Sequence, residues 1–352
     1  MARQARIGII GAGWWAAHNH IPVVQAHPNA VVAGISRLGQ AELRHLLTSF
    51  AIAFGSEDPA AMLAAVKPDG VIVASPHTLH AEHTRMALAA GCHVMVEKPA
   101  ATTAADARRM QAEAARLGLG LMVPHAWNFK DYAALARGWV RDGRIGEIRH
   151  VVCQMASPLT DLFAGQPMVD TAGHMFRPPP STWATPGAAG GYGWGQLTHA
   201  LGLLAYVSNE LAPAEVTATA GLSPAQVDYY DAALVRFANG ATGVVSGSST
   251  VPKGCPLQLD IRLFGTEGML LLDVERERLV LRRHDGGDAT AEIATGDGAP
   301  DGTRPVHRFI ELCLGHLSPA DVRQWGSVTD IETLDAMYRS MASGRTERVS
   351  AA

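Results

Sequence analysis

Cysteine is scarce in this chain: four in 352 residues, at Cys92, Cys153, Cys255 and Cys313, and no two of them form a C-x-x-C pair. That scatter excludes a disulfide framework and a zinc ribbon, and leaves reduced core thiols with no structural metal expected. Blocks of basic residues are also missing. With 29 Lys and Arg against 33 Asp and Glu the net charge is −4, so there is no positive field to hold a phosphate backbone and no nucleic acid partner is expected. No apolar run approaches the roughly 18 residues that span a membrane. The opening "MARQARIGIIGAG" lacks the apolar h-region and cleavage site of a secretory signal, which makes a cytoplasmic protein the expectation. What remains, 47% hydrophobic and 18% charged residues, is the composition of a globular enzyme. At about 150 residues per domain the length suggests two domains.

Short β-branched or apolar runs recur through the first third: "RIGIIGAG", "VVAGIS" (31–36), "GVIVAS" (70–75), "HVMVEK" (93–98) and "LGLMV" (119–123). Between them lie stretches such as "AEHTRMALAAG" and "TAADARRMQAEAARLG", with apolar residues at helical spacing and a terminal glycine. Alternating strands and helices predict a doubly wound parallel sheet. Beyond residue 123 longer strands and hairpins take over, including Asn239-Gly240 between alternating apolar runs, a strong hairpin signal. The expected architecture is therefore α/β, with an N-terminal Rossmann dinucleotide-binding domain (1–123) and a C-terminal α/β domain (124–352) carrying a large, open, mostly antiparallel sheet. Residues 158–193, rich in Gly and Pro, read as a long excursion of the kind that often carries function. "DGGDATAEIATGDGAPDG" reads as a plain solvated linker, and helix returns at "VHRFIELCLGHL" and "VTDIETLDAMYRSMASG".

The stretch "GIIGAGWWAAHNHIP" holds Gly11-x-Gly13-x-x-Ala16 after a strand and before a helix, the setting a dinucleotide fingerprint requires. Gly11 would make the tight turn, Gly13 would admit the pyrophosphate to the backbone, and the helix N-terminus would supply partial positive charge. Trp14 and Trp15 either close over the cofactor or pack the helix. His18 and His20 suit hydrogen bonding better than metal ligation, because i, i+2 neighbours do not share a helix face. The second strand ends in Ser36-Arg37, where an NAD site usually has an acid. That substitution favours NADP over NAD, with Arg37 meeting the 2'-phosphate.

The run "PDGVIVASPHTLHAEHTRMALAAGCHVMVEKPAATTAADARRM" resembles the second half of the nucleotide domain of the Gfo/Idh/MocA oxidoreductases. Ser75-Pro76-His77 with His80, then Glu97-Lys98-Pro99 and Thr102-Thr103, follow that family's order and spacing. "GRIGEI" (143–148), "FANGA", "FGTEGML" and "YRSMASGR" extend the similarity over nearly the whole chain. The resemblance implies cofactor contacts at Ser75, Pro76, His77, His80, Glu97 and Lys98, and a homodimer or homotetramer formed through the C-terminal sheet. It places Lys98 beside nicotinamide and substrate, before a proline that is often cis. Independently, a lysine at the carboxyl end of a parallel strand lies at the ligand crevice of an open α/β sheet, where its cation favours a developing alkoxide.

The family's second element, GG-x-x-x-D-x-x-x-H, reads here as "GGYGWGQLTH": Gly190, Gly191 and His199 match, but Gly195 stands at the aspartate position. His199 is suited to moving the substrate hydroxyl proton. Tyr192, Trp194, Gln196 or Thr198 are the residues expected to fill the aspartate's space, and Trp194 and Gln196 to contact substrate. In "MVPHAWNF", His125, Trp127 and Asn128 are further substrate candidates. His174 and Arg177 in the excursion carry a weaker signal. The function implied is hydride transfer between NADP or NAD and a secondary alcohol or ketone of a sugar, cyclitol or related polyol. One alternative is tightly bound NAD used transiently for isomerisation, elimination or glycoside cleavage; another is a non-catalytic dinucleotide sensor.

Overall fold

The computed structural model describes residues 3–349. Six strands, β1 (Ala5–Ile10), β2 (Ala30–Ser36), β3 (Gly55–Ser56), β4 (Gly70–Val73), β5 (His93–Val96) and β6 (Leu121–Met122), form one sheet in the order β3-β2-β1-β4-β5-β6. Every neighbouring pair in it is parallel. The central strands are near-continuous Val and Ile because helices cover both faces, and all four residues of β4 are buried. β3, two residues long, leaves no sequence pattern. The order reverses between β1 and β4, so the ligand crevice of such a sheet opens at their carboxyl ends. Helix Ala104–Leu117 shows how local chemistry fixes its bounds: the Thr103 hydroxyl accepts from the Asp106 amide at the start, and Gly118 takes the left-handed conformation at the end.

The second sheet has nine strands: β7 (Ile148–Ala156), β8 (Pro213–Leu222), β9 (Asp228–Phe237), β10 (Thr242–Ser248), β11 (Gln258–Gly265), β12 (Gly268–Asp273), β13 (Arg278–Arg283), β14 (Ala289–Glu292) and β15 (Glu347–Arg348). Their order is β14-β13-β12-β11-β7-β10-β9-β8-β15, and only the β7/β10 pair is parallel. Asn239-Gly240 turns β9 into β10, with Gly240 at φ +85°. Helix Thr198–Val207 packs on β7 and β11, and helix Thr329–Ser343 packs on β8 and on that helix.

The chain divides into two compact units. One comprises the residues up to Pro124 with Pro167–Pro179 and Gly302–Gly326; the other comprises His125–Gln166, Pro180–Asp301 and the described residues from Ser327 onward. Two segments placed after residue 123 by sequence thus pack with the first unit. Helix Thr303–Leu314 is one of them, lying against β1, β4 and β5. The stretch read as a plain linker is also more ordered than its composition suggests. It contains β14, its Gly298 carbonyl accepts from Trp127 Nε1 at 2.9 Å, and Asp297 meets the buried Lys130 ammonium at 2.8 Å. Its Gly and Asp content masks a short edge strand.

Candidate active site

In the first unit the glycine turn joins the ends of three strands. Gly11 has φ +81°, and a Cβ there would run into the backbone of Ser75, so glycine alone lets the β1 and β4 ends lie together. The Gly11 and Ala12 amides donate to the carbonyl of Ser36, itself buried, at 2.9 and 3.1 Å. At Gly13 nothing comes nearer a Cβ than 3.7 Å, leaving open space above the turn. A helix over residues 14–26 starts there, with a π turn across Ala16–His20. A glycine turn, an open Gly13 and a helix N-terminus fit the pyrophosphate of a nicotinamide dinucleotide. Arg37 stands at the β2 end, donating through Nη1 to the Ala12 carbonyl at 3.1 Å.

Glu97 gathers the rest of this cradle. Its Oε1 accepts from Trp15 Nε1 and meets His20 Nε2, both at 2.8 Å, while Oε2 accepts from the Lys98 amide at 3.2 Å. Burial pushes the carboxyl up, but the His20 bond and charge, with Lys98 and Trp15, outweigh it and hold Glu97 below its ordinary value. Trp15 and Glu97 thus engage each other, and His20 acts as a hydrogen-bonding residue. Glu97→Ala would orphan the buried His20 and the half-buried Trp15 Nε1, and is expected to lower unfolding free energy by about 2 kcal/mol, read by urea denaturation.

Lys98 follows, part-buried, and the Lys98–Pro99 bond is cis. Burial brings its ammonium down to about 8 against the opposing pull of Glu97. Beneath it the buried His80 presents Nδ1 to the Pro99 carbonyl and Nε2 to the Ser75 carbonyl, each at 2.7 Å. The His80 ring therefore ties the turn after β4 to the turn after β5. Burial holds its pKa low. Pro76 leads into the short turn His77–Leu79, and the buried His77 ring lies 5.9 Å from His80.

In the second unit His199 lies on the first turn of Thr198–Val207, the one residue of that helix not buried. The Trp127 and His125 rings stand edge-on to it at 5.4 and 5.7 Å. A π turn over Gly193–Leu197 precedes it; such turns are frequent at functional sites, and the Gly-rich turn helix has one too. Gly191, at φ +111°, has no room for a Cβ beside the Asp228 carboxylate. Asp228 accepts from the Gly193 amide at 2.7 Å and from the Tyr338 hydroxyl at 2.8 Å, fastening the start of the helix that carries His199.

Several residues expected near substrate make packing and hydrogen-bond contacts within their own unit. Trp194 is buried and stacked on Tyr338 at 4.9 Å. The buried Tyr192 hydroxyl donates to the Met155 carbonyl and accepts from Ser157, both at 3.1 Å. Asn128 Nδ2 donates to the Gly202 carbonyl at 3.2 Å. Gln196 is half-buried. A Cβ at Gly195 would lie 2.8 Å from Phe163 Cζ and 3.1 Å from Trp183 Cζ3. A side chain at the aspartate's position would thus run into the aromatic rings of Phe163 and Trp183, both from the excursion. Thr198 donates to Asp330 Oδ2 at 2.9 Å, and the same oxygen lies 3.2 Å from His125 Nε2, an ion-pair distance without hydrogen-bond alignment. Asp330, 1% exposed, is the carboxylate of this cluster that sequence reasoning missed. Its signal was an acid among the apolar positions Ile331 and Leu334 of the terminal helix. His174 and Arg177 fall with the first unit.

Among the described residues no cluster of His, Cys, Asp and Glu is placed to hold a metal ion, and no helix is long and apolar enough to cross a membrane. The family model described as "Oxidoreductase family, NAD-binding Rossmann fold" (GFO_IDH_MocA) matches residues 5–125, and that of the GFO/IDH/MocA C-terminal domain matches 133–271. A D-glucoside 3-dehydrogenase of Escherichia coli (strain K12) is 42% identical over 145 residues, 41% of each chain. That alignment spans about two fifths of the relative's length. Among solved structures, an oxidoreductase domain protein from Kribbella flavida has TM-score 0.78 at 22% identity, covering 100% of both chains. A levoglucosan dehydrogenase in complex with NADH has TM-score 0.75 at 20% identity, covering 99% of this chain and 100% of that one, and shares the fold. The glycine turn after β1, the Glu97-Lys98-Pro99 turn after β5, the two sheets and both family matches agree: this chain belongs to the Gfo/Idh/MocA oxidoreductases.

Proposed function

We propose that the protein transfers hydride between a nicotinamide dinucleotide and a ring secondary hydroxyl, or the matching ketone, of a sugar, cyclitol or related polyol. The observation that carries this reading is Lys98, a part-buried cation at the end of β5 in the unit that holds the glycine turn. A bound nicotinamide dinucleotide would supply the hydride acceptor for oxidation and the hydride donor for reduction. The chain's own part is proton and charge management. His199 takes the hydroxyl proton in oxidation and returns it in reduction. Lys98 stabilises the alkoxide that forms as the proton leaves, and Glu97 fixes the backbone from which Lys98 projects. We infer NADP(H) in preference to NAD(H), supported by Ser36-Arg37 in place of an acid at the β2 end. A glucoside oxidised at position 3 is the first substrate to test, because the similar E. coli protein is named a D-glucoside 3-dehydrogenase.

The test is a panel of glucosides, free sugars and inositols with NAD and NADP, followed at 340 nm. Turnover with a ring polyol supports the reading; absence of turnover across the panel, in both directions, contradicts it. The same assay tests Lys98 by pH. Its cation is complete well below about 8 and disappears above it, so kcat/KM is expected to fall as pH rises through that value. Lys98→Arg keeps the charge at every pH, and is expected to move this falling limb out of the accessible range.

A further inference from the structure

Residues 167–179 come from the excursion that follows residue 157, well beyond the first run of strands and helices, yet they pack with the nucleotide-binding unit. Their aromatic contacts fall on the opening motif and the β2 end. The Phe176 ring covers the Arg37 guanidinium at 4.2 Å and meets the His45 ring edge-on at 6.3 Å. The His174 imidazole stacks on His18 at 3.6 Å, with 17° between planes, and lies parallel to Trp14 at 6.3 Å. Within the segment, the Thr171 hydroxyl donates to the Met168 carbonyl at 2.8 Å, and Arg177 Nε donates to the Thr171 carbonyl at 3.4 Å.

The distribution of apolar surface argues against a strap held merely by hydrophobic burial. Val169 and Met175 are 64% and 40% exposed, while the rings of His174 and Phe176 are turned onto the cradle. In a sheet of this topology the residues at the end of β2 address the adenosine ribose. Arg37, which directly follows β2, is held to the Ala12 carbonyl on one side and faced by Phe176 on the other. His174 Nδ1 is shielded from solvent and has no hydrogen-bond partner in the protein, a donor or acceptor left over beside Trp14.

We propose that residues 167–179 are a strap belonging to the cofactor site, in which Phe176 and Arg37 form the wall that receives the adenosine half of the dinucleotide. This rests on the dinucleotide reading given above. It makes the excursion a determinant of cofactor affinity. The two halves of the cofactor are separable as probes: ADP-ribose carries adenosine and pyrophosphate without nicotinamide, and reduced nicotinamide mononucleotide carries nicotinamide without adenosine.

Calorimetric titration of the wild type, Phe176→Ala and Arg37→Ala with each probe tests the wall, and hydrogen exchange on the wild type tests the strap without any substitution. Both variants are expected to bind ADP-ribose at least tenfold more weakly and the mononucleotide within twofold of the wild type. ADP-ribose is expected to slow amide exchange across 168–177 in the wild type. Wild-type protein that binds ADP-ribose with unchanged strap exchange, or Phe176→Ala protein that binds it within twofold of normal, overturns the strap while leaving the dinucleotide reading intact. Wild-type protein that binds neither ADP-ribose nor NAD(P) overturns that reading and the strap with it.

Discussion

Lys98→Ala and His199→Ala are each expected to lower kcat/KM by about 100-fold or more, because proton transfer by a positioned group contributes roughly 10²- to 10⁴-fold. Both side chains act as the proton leaves, so the loss is expected in kcat as well as in kcat/KM. Dinucleotide affinity is expected to stay near wild type in His199→Ala. Neither substitution removes a large apolar group: Lys98 and His199 are part-exposed, so thermal unfolding is expected to shift little. The two are distinguishable by pH. Lys98→Ala abolishes the falling limb near pH 8, whereas His199→Ala leaves that limb in what activity remains. Near-normal turnover in either variant on the true substrate removes that residue from the chemistry.

Gly195→Asp is expected to destabilise the second unit and to depress activity on every substrate, inositols included. The family's aspartate position is closed here by Phe163, which is fully buried, and Trp183, at 8% exposure. Forcing a Cβ to 2.8 Å from the Phe163 ring costs about 1–3 kcal/mol of overpacking. The carboxylate then enters surroundings of aromatic carbon, which adds a desolvation cost of at least ~1 kcal/mol. A total near 3 kcal/mol corresponds to a fall of roughly 10 °C in Tm for a unit of this size. Gly195→Ala carries only the steric part and is expected to fall less. Phe163→Ala combined with Gly195→Asp opens room for the carboxylate, so the pair is expected to be less damaging than the sum of the single changes. A Gly195→Asp protein with unchanged Tm and a gain on inositols would contradict the packing seen around this position.

The first sheet was legible because its strands are buried on both faces: "GVIV" and "HVMV" have no other reading once helices alternate with them. The glycine turn was legible for a backbone reason, since Gly11 must pass the Ser75 backbone. The site around His199 was only half legible. A motif read along the chain places Tyr192, Trp194, Gln196 and Thr198 next to the missing aspartate, but a helical turn of side chains points several ways. Tyr192 and Trp194 point into the core. The groups that meet Gly195 come from residues 163 and 183, and the carboxylate near His125 comes from residue 330; such long-range contacts leave no local spacing to read. The excursion followed the same logic. Its Gly and Pro content marked it as irregular, but nothing in "HMFRPPP" says that it returns to Trp14 and Arg37.

The most direct test of hydride transfer to a dissociable cofactor is the stoichiometry of one reaction: purified protein, NADP or NAD, and a D-glucoside or other ring polyol that it turns over. Absorbance at 340 nm and the carbonyl content of the isolated product are measured together. One equivalent of reduced dinucleotide per ketone formed, sustained over many turnovers, is the expected result. A substrate consumed over many turnovers with no net change at 340 nm, and a product at the oxidation level of the starting sugar, would contradict it and point to transient oxidation by a retained cofactor.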